Sequence, residues 1–162
     1  MTLSAPPGSM RWSKAEASDA RAISALALET CEQFLFGSTN EEGRQTLHEL
    51  YKPSSVRKQI LANDRFVLGF HDEELVAAAA MRRTDNHVYL FFVTGHLHGH
   101  GLGRKLMRTL ISGIDKEGSI KLNSSIYAVE FYKRLGFEAT GSVSTAKGVE
   151  FLPMKLTLRE IR

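Results

Sequence analysis

The chain has 162 residues, 43% of them apolar and 24% charged, with a formal net charge of +3 from 21 basic and 18 acidic side chains. That is enough chain to bury a core without a disulfide or structural metal, and Cys31, the only cysteine, excludes an intrachain disulfide and fits a reducing, cytoplasmic setting. Long basic runs and basic–aromatic interleaving are lacking and no apolar run nears the ~20 residues that span a bilayer, so neither a nucleic-acid nor a membrane partner is expected.

Residues 1–9, rich in Pro, Ser and Gly, read as a flexible leader, and residues 10–162 as a single domain. A short strand is expected near Met10 to Lys14. Ser18 and Asp19 then offer helix caps before a segment with Ile23, Leu26, Ala27 and Phe34 at helical spacing, which Gly37 should end. Glu41 to Tyr51 and Pro53 to Ala62 read as two more helices, with Pro53 placed either to break the first or to start the second. From Arg65 the pattern changes to strands. RFVLGFH and LVAAAAMRR should form a hairpin turning at Asp72-Glu73-Glu74, and HVYLFFVTG, dense in aromatic and β-branched residues, a central strand. A helix from about Gly101 to Glu117 should bury Leu102, Leu106, Leu110 and Ile114. SIKLN reads as a strand, SIYAVEFYKRLG as a helix with Ala128, Phe131, Tyr132 and Leu135 on one face and Gly136 as its left-handed cap, and FEATGSVST with EFLPMKLTL as a closing strand pair.

The stretch HLHGHGLGRKLM, His96 to Met107, places Arg104 and Lys105 in the first turn of a helix, where the dipole disfavours cations. A bound anion resolves the conflict. Strand, glycine-rich loop and helix start together bind phosphates, because amides at the helix start lack internal partners. A dinucleotide fingerprint fails, since Arg104 stands where its last glycine belongs, and no Gly-Lys-Ser/Thr exists for a P-loop.

The run His98-Gly99-His100-Gly101-Leu102-Gly103 instead resembles the acetyl-CoA pyrophosphate loop of the GNAT (GCN5-related) N-acetyltransferase superfamily, R/Q-x-x-G-x-G/A, with histidine in the first position as a departure. LNSSIYAVEFYKRLGF, Leu122 to Phe137, resembles the family's second signature, an Asn followed by A-x-x-FY-x-x-LGF. In element order the likeness runs from about Arg65 to Leu158. It implies an α/β fold whose mixed, mostly antiparallel twisted sheet splays between its central strands near Val93, with helices on both faces.

It also implies a function: acetyl-CoA-dependent acetylation of a primary amine on a small molecule or peptide, by direct attack in a ternary complex. Phe91, Phe92 and Val93 would offer backbone groups to the cofactor, the Val93 N–H also facing the oxyanion. The residues from His98 through Gly99, His100, Gly101, Leu102 and Gly103 to Arg104 would hold the pyrophosphate. Asn123 would bond the pantetheine or an ordered water, Ala128 would be among the cofactor-binding residues, and Tyr132 would protonate the leaving thiolate. No metal is expected; family members commonly pair as homodimers. Each residue has a plainer alternative. Tyr132 sits on an apolar helix face as a core tyrosine would, Asn123 and Ser125 suit helix caps, and Arg104, Lys105 and Arg108 suit a solvated helix face. His87, His96, His98 and His100 raise a metal site, but glycine loops place ligands poorly. The general base is open among Asp85, His87, His71, Glu29 and Glu49, a water, or an amine arriving deprotonated. Phe34, Phe36 and Tyr51 are candidates for an apolar acceptor wall. A non-catalytic acetyl-CoA-binding domain and a nucleotide-binding module are the other readings.

Overall fold

A computed structural model describes residues 10–114 and 118–158. The expected leader and the residues 115–117 assigned to the end of a helix lie outside the described residues. Eight strands form one sheet in the order β1 (Met10–Ser13), β2 (Arg65–His71), β3 (Glu74–Arg82), β4 (His87–Val93), β5 (Ser119–Ser124), β8 (Val149–Thr157) and β6 (Glu138–Ala139), with β7 (Ser144–Ala146) paired to β8 beside β6. Every ladder is antiparallel except β4 with β5. The sheet is therefore mixed and mostly antiparallel, as the resemblance implied.

Helices cover both faces. α1 (Ala20–Phe34), α2 (Glu41–Tyr51) and α3 (Pro53–Leu61) bury Ile23, Ala27, Cys31, Leu47, Tyr51 and Val56 against Ala78, Ala80 and Leu90. On the opposite face α4 (Leu102–Ile111) buries Leu102, Leu106 and Leu110 against Ala77 and Ala79, and α5 (Val129–Arg134) adds Tyr132 beside Phe137. The alanine run of β3 alternates between the two clusters, and its small side chains let helices approach from both sides. The hairpin turn holds Asp72 and Glu73 at positive φ, the geometry of a tight β-turn. Strand rather than helix wins for the alanines because both faces of the segment are covered.

Local signals account for most element ends. Asn40 Oδ1 accepts the Gly43 N–H at 2.8 Å to cap α2, with Glu41 and Glu42 in its first turn. Lys52 is extended, as a residue before proline should be, and Pro53 opens α3 rather than merely breaking α2. After α5, Gly136 (φ 106°) lets its own N–H reach Lys133 O and the Phe137 N–H reach Tyr132 O, both at 3.0 Å, the paired bonds of a Schellman cap.

Four expectations need correction. Asp19 does not cap α1 with its side chain; its carboxylate turns back to the Glu16 N–H at 2.7 Å. α1 stops at Phe34, and Gly37 lies in a following 3-10 turn, Phe36–Ser38. α4 stops at Ile111 because Gly113 (φ 86°) turns the chain out, leaving Ile114 packed on the core from outside the helix. Arg65 caps that end, its guanidinium donating to Leu110 O at 2.6 Å and Ser112 O at 2.8 Å. The closing strand pair is three strands, because β6 and β7 each cover a different part of the longer β8.

Candidate active site

The β4–β5 ladder is short: His87 pairs with Lys121 and Val88 with Leu122, and then the strands part. The cause lies in β4. Met81 pairs with Val88 and Ala80 with Leu90, so Tyr89 is an extra residue, a bulge that bends β4 away from β5. The Tyr51 hydroxyl donates to the bulge carbonyl, Tyr89 O, at 3.0 Å, tying α2 to the bend.

Beyond the bulge, hydrogen-bond alternation decides which groups face the gap. Thr94 N–H bonds Val76 O at 2.8 Å, so in the continuing register Phe92 also bonds toward β3, while Phe91 and Val93 turn their N–H and C=O away from it. These groups edge a cleft of about 810 Å³. Its lining includes Phe91, Phe92 and Val93 of β4, His98, Gly99, Gly101, Gly103 and Arg104 of the loop and α4, Asn123 of β5, and Ala128 and Tyr132. The structure thus brings together most of the residues singled out by motif, across a chain separation of some forty residues.

The loop is built from backbone. Leu97, 2% exposed, anchors it in the core. Gly99 (φ 85°) and Gly101 (φ 79°) adopt left-handed geometry, and a Cβ on either would meet nothing within 4 Å, so bare main chain faces open space there. Gly101 is the N-cap of α4 and Lys105 N–H makes the first helical bond to it at 3.1 Å, so the amides of Leu102, Gly103 and Arg104 have no partner within the helix. Gly103 serves packing instead: a Cβ would stand 2.7 Å from the Phe131 ring. These features fit a pyrophosphate and a long, thin cofactor arm. The Leu102 side chain is buried in the core, so only its amide is on offer, and His100 is exposed outside the lining. Of the cations, Arg104 lines the cleft; Lys105 and Arg108 lie on the exposed surface of α4.

Tyr132 is 7% exposed, packed edge-on among Phe91, Phe131 and Phe137 at 5.2–5.8 Å. Burial pushes its phenol well above the ordinary tyrosine range, and its hydroxyl has no hydrogen-bond partner among the described residues. It is a core tyrosine and a cleft residue at once. Asn123 stands opposite Pro153 and lines the cleft, whereas Ser125 does cap its turn, accepting Ala128 N–H at 3.3 Å.

None of the five side chains considered as general base lines the cleft. Asp85 is held by Arg82 through two bonds of 2.8 and 2.9 Å, which keep its carboxyl below the usual range, at the turn before β4. His87, its imidazolium disfavoured by burial, starts β4, about 20 Å from Val93 along an extended strand. His71 sits beside Asp72, Glu49 pairs with Lys52 at 2.7 Å, and Glu29 is exposed on α1. Phe34 and Tyr51 line the cleft, but Phe36 packs on His48 elsewhere. The histidines do not assemble: among the described residues no three His, Cys, Asp or Glu side chains are placed to hold a metal ion.

The sequence reading missed Glu130, Arg134 and Glu150, which line the cleft, and a contact of His98. The His98 ring folds back so that Nε2 lies 2.7 Å from Val93 O, and it stacks on Phe34 with centroids 4.9 Å apart. Phe34 in turn stacks on Tyr127 at 5.0 Å, so three rings span the gap between the β4 and β5 sides. No local pattern announces this row, because its members lie on three separate elements.

A family model described as an acetyltransferase (GNAT) domain matches residues 35–158. The fold is similar to that of a GCN5-related N-acetyltransferase from Rhodopseudomonas palustris, with a TM-score of 0.78 at 18% identity over 98% of this chain and 99% of that one. It is also similar to PaiA N-acetyltransferase from Thermoplasma acidophilum in complex with coenzyme A, at 0.73 and 20% over 92% and 99%. The apo form of YjaB from Escherichia coli follows at 0.68 and 20% over 90% and 96%. No curated protein sequence matches the chain.

Proposed function

The chain belongs to the GNAT acetyltransferase family, and from that premise we propose that it acetylates a primary amine of a small molecule or peptide by direct attack on acetyl-CoA. One observation carries the reading: Phe91 and Val93 turn backbone groups away from β3 into a splayed cleft that ends at a glycine loop with three unpaired helix-start amides. Acetyl-CoA supplies an activated acetyl thioester. The amides from Gly99 to Arg104 hold its diphosphate, with Arg104 adding counter-charge, and β4 orients its arm like an added strand.

The Val93 N–H faces the oxygen that gains charge as the amine attacks, which is where a fixed donor accelerates acyl transfer most. Asn123 and Ala128 border the arm on the β5 side. Tyr132, kept protonated by burial, gives its proton to the departing sulfur. A reducing, cytoplasmic setting goes with this reading, on the ground of the single Cys31. No helix among the described residues is long and apolar enough to cross a membrane.

Thermal melting with acetyl-CoA, CoA, ATP or NAD, at one salt concentration, tests the binding half. A ligand at 100 times its dissociation constant adds about 2.7 kcal/mol, and acetyl-CoA and CoA alone should raise the melting temperature. Thiol release in a panel of amines tests the transfer half. A melting shift with no thiol release from any amine would leave a binding domain, and a shift with ATP or NAD instead would overturn the loop's assignment.

A further inference from the structure

Resting on the acetyl transfer proposed above, the cleft still needs a group to take the amine's proton. Three lining side chains have the chemistry: Glu130, Glu150 and His98. Glu130 is exposed on α5 and paired with Lys133 at 3.7 Å. Glu150 is exposed on β8, opposite Thr145 in the terminal hairpin. His98 is exposed as well, but it alone is bonded to the residue whose N–H is proposed to face the acetyl oxygen.

We propose that His98 is the general base of the transfer. A carbonyl oxygen only accepts, so the 2.7 Å contact with Val93 O requires the hydrogen on Nε2. In the neutral ring Nδ1 then carries the lone pair, and it has no partner among the described residues. The ring is held twice, by that bond and by Phe34 stacked on it with 24° between planes. A base fixed in tautomer and in plane loses little on meeting its substrate. Within a strand, one residue's N–H and C=O leave by the same edge, so anchoring on Val93 O keeps His98 beside the Val93 N–H.

The departure from the family motif gains a meaning here. The family slot takes Arg or Gln: Arg cannot accept a proton and Gln is no base at neutral pH, whereas histidine donates through one nitrogen and accepts through the other.

In the step, the amine nitrogen forms its bond to the acetyl carbon while one N–H proton passes to His98 Nδ1. The carbon–sulfur bond breaks, its electron pair leaves on sulfur, and Tyr132 protonates the thiolate. His98 then returns its proton through solvent to Tyr132, so the net change is one proton from nitrogen to sulfur. The charged and titratable groups sharing the cleft with His98 are Tyr51 of α2, Tyr89 of β4, Arg104 of α4, Tyr127, the α5 residues Glu130, Tyr132 and Arg134, and Glu150 of β8.

The decisive variant is His98→Gln, which keeps an N–H donor near Val93 O and carries the family's own residue. With an acceptor found in the amine panel, kcat at saturating acetyl-CoA should fall by about 100-fold or more. Divided at each pH by the fraction of acceptor present as free amine, wild-type kcat/KM should still fall on the acid side, at a position shared by two acceptors of different ammonium acidity, and His98→Gln should lack that limb. Wild-type turnover in His98→Gln would overturn the proposal, as would an acid limb that vanishes once the acceptor's own ionisation is divided out. If His98→Gln loses the melting shift, His98→Ala with added imidazole decides: restored turnover supports the base, and none removes it. Absence of thiol release from the wild-type chain with every amine is a different failure, that of acetyl transfer itself.

Discussion

Along the β4–α4 side of the cleft, the groups offered to a ligand are main chain: the edges of Phe91 and Val93, the loop at Gly99 and Gly101, and the amides that open α4. The opposite wall, from α1, α2 and β8, offers side chains instead, among them Phe34, Leu50, Tyr51, Val149 and Phe151, with Glu150 as its only carboxylate among the described residues. A site made of backbone constrains residue types closely, because glycine must stand where a side chain would block the ligand or clash. A site made of side chains tolerates many substitutions of similar size. The first wall therefore suits a ligand shared across a family and the second a ligand particular to one member.

The largest effect that sharpens this contrast is expected from Tyr132→Phe. The hydroxyl has no partner among the described residues, so its loss should leave the melting temperature and the acetyl-CoA shift nearly unchanged while kcat falls by about 100-fold or more. Equal losses in stability and turnover would make Tyr132 a packing residue alone. Gly103→Val comes next. Its Cβ would meet Phe131 at 2.7 Å and push the start of α4 off α5, so calorimetry should show acetyl-CoA affinity down by about tenfold, from overpacking worth roughly 1–3 kcal/mol. Unchanged affinity would mean that the amides tolerate a displaced helix.

On the other wall, Leu50→Ala should change stability little, since Leu50 is already 37% exposed, yet raise the acceptor's KM by about threefold through lost apolar contact. Its acetyl-CoA binding should match wild type, and a parallel loss of both would blur the division between walls. The smallest effect concerns Cys31, buried on α1 with its thiol pushed up to about 12 by burial, from 9.0. The folded chain then holds that proton more tightly than the unfolded one. Its contribution is present below pH 9 and is lost as pH rises toward about 12. Melting temperatures across pH 8–10 should fall less steeply in Cys31→Ala than in wild type, and identical slopes would show that the thiol does not titrate on unfolding.

Much of this was legible in the chain because the physics is local. The start of α3 at Pro53, the Schellman cap at Gly136 and the hairpin between β2 and β3 each depend on a few adjacent residues. Periodicity also sorted Leu102, Leu106 and Leu110 to one face. The end of α4 was misjudged because an apolar residue at the next helical position, Ile114, continued the pattern past a glycine that had already turned the chain. Asp19 was misassigned because its carboxylate serves a backbone amide three residues before it rather than the helix after it.

The sequence by itself determined the order of elements, the glycine loop with its helix-start amides, and the second signature around Tyr132, since each is a short-range pattern of residue types. Only the tertiary structure decided that β4 bulges at Tyr89 and leaves β5 after Val88. The same holds for the row of His98, Phe34 and Tyr127 across the gap, and for the exclusion of Asp85, His87, His71, Glu29 and Glu49 from the cleft. The reason is range: a bulge, a stack or a shared cavity is set by which distant surfaces meet when the sheet assembles, and no window of neighbouring residues contains that information.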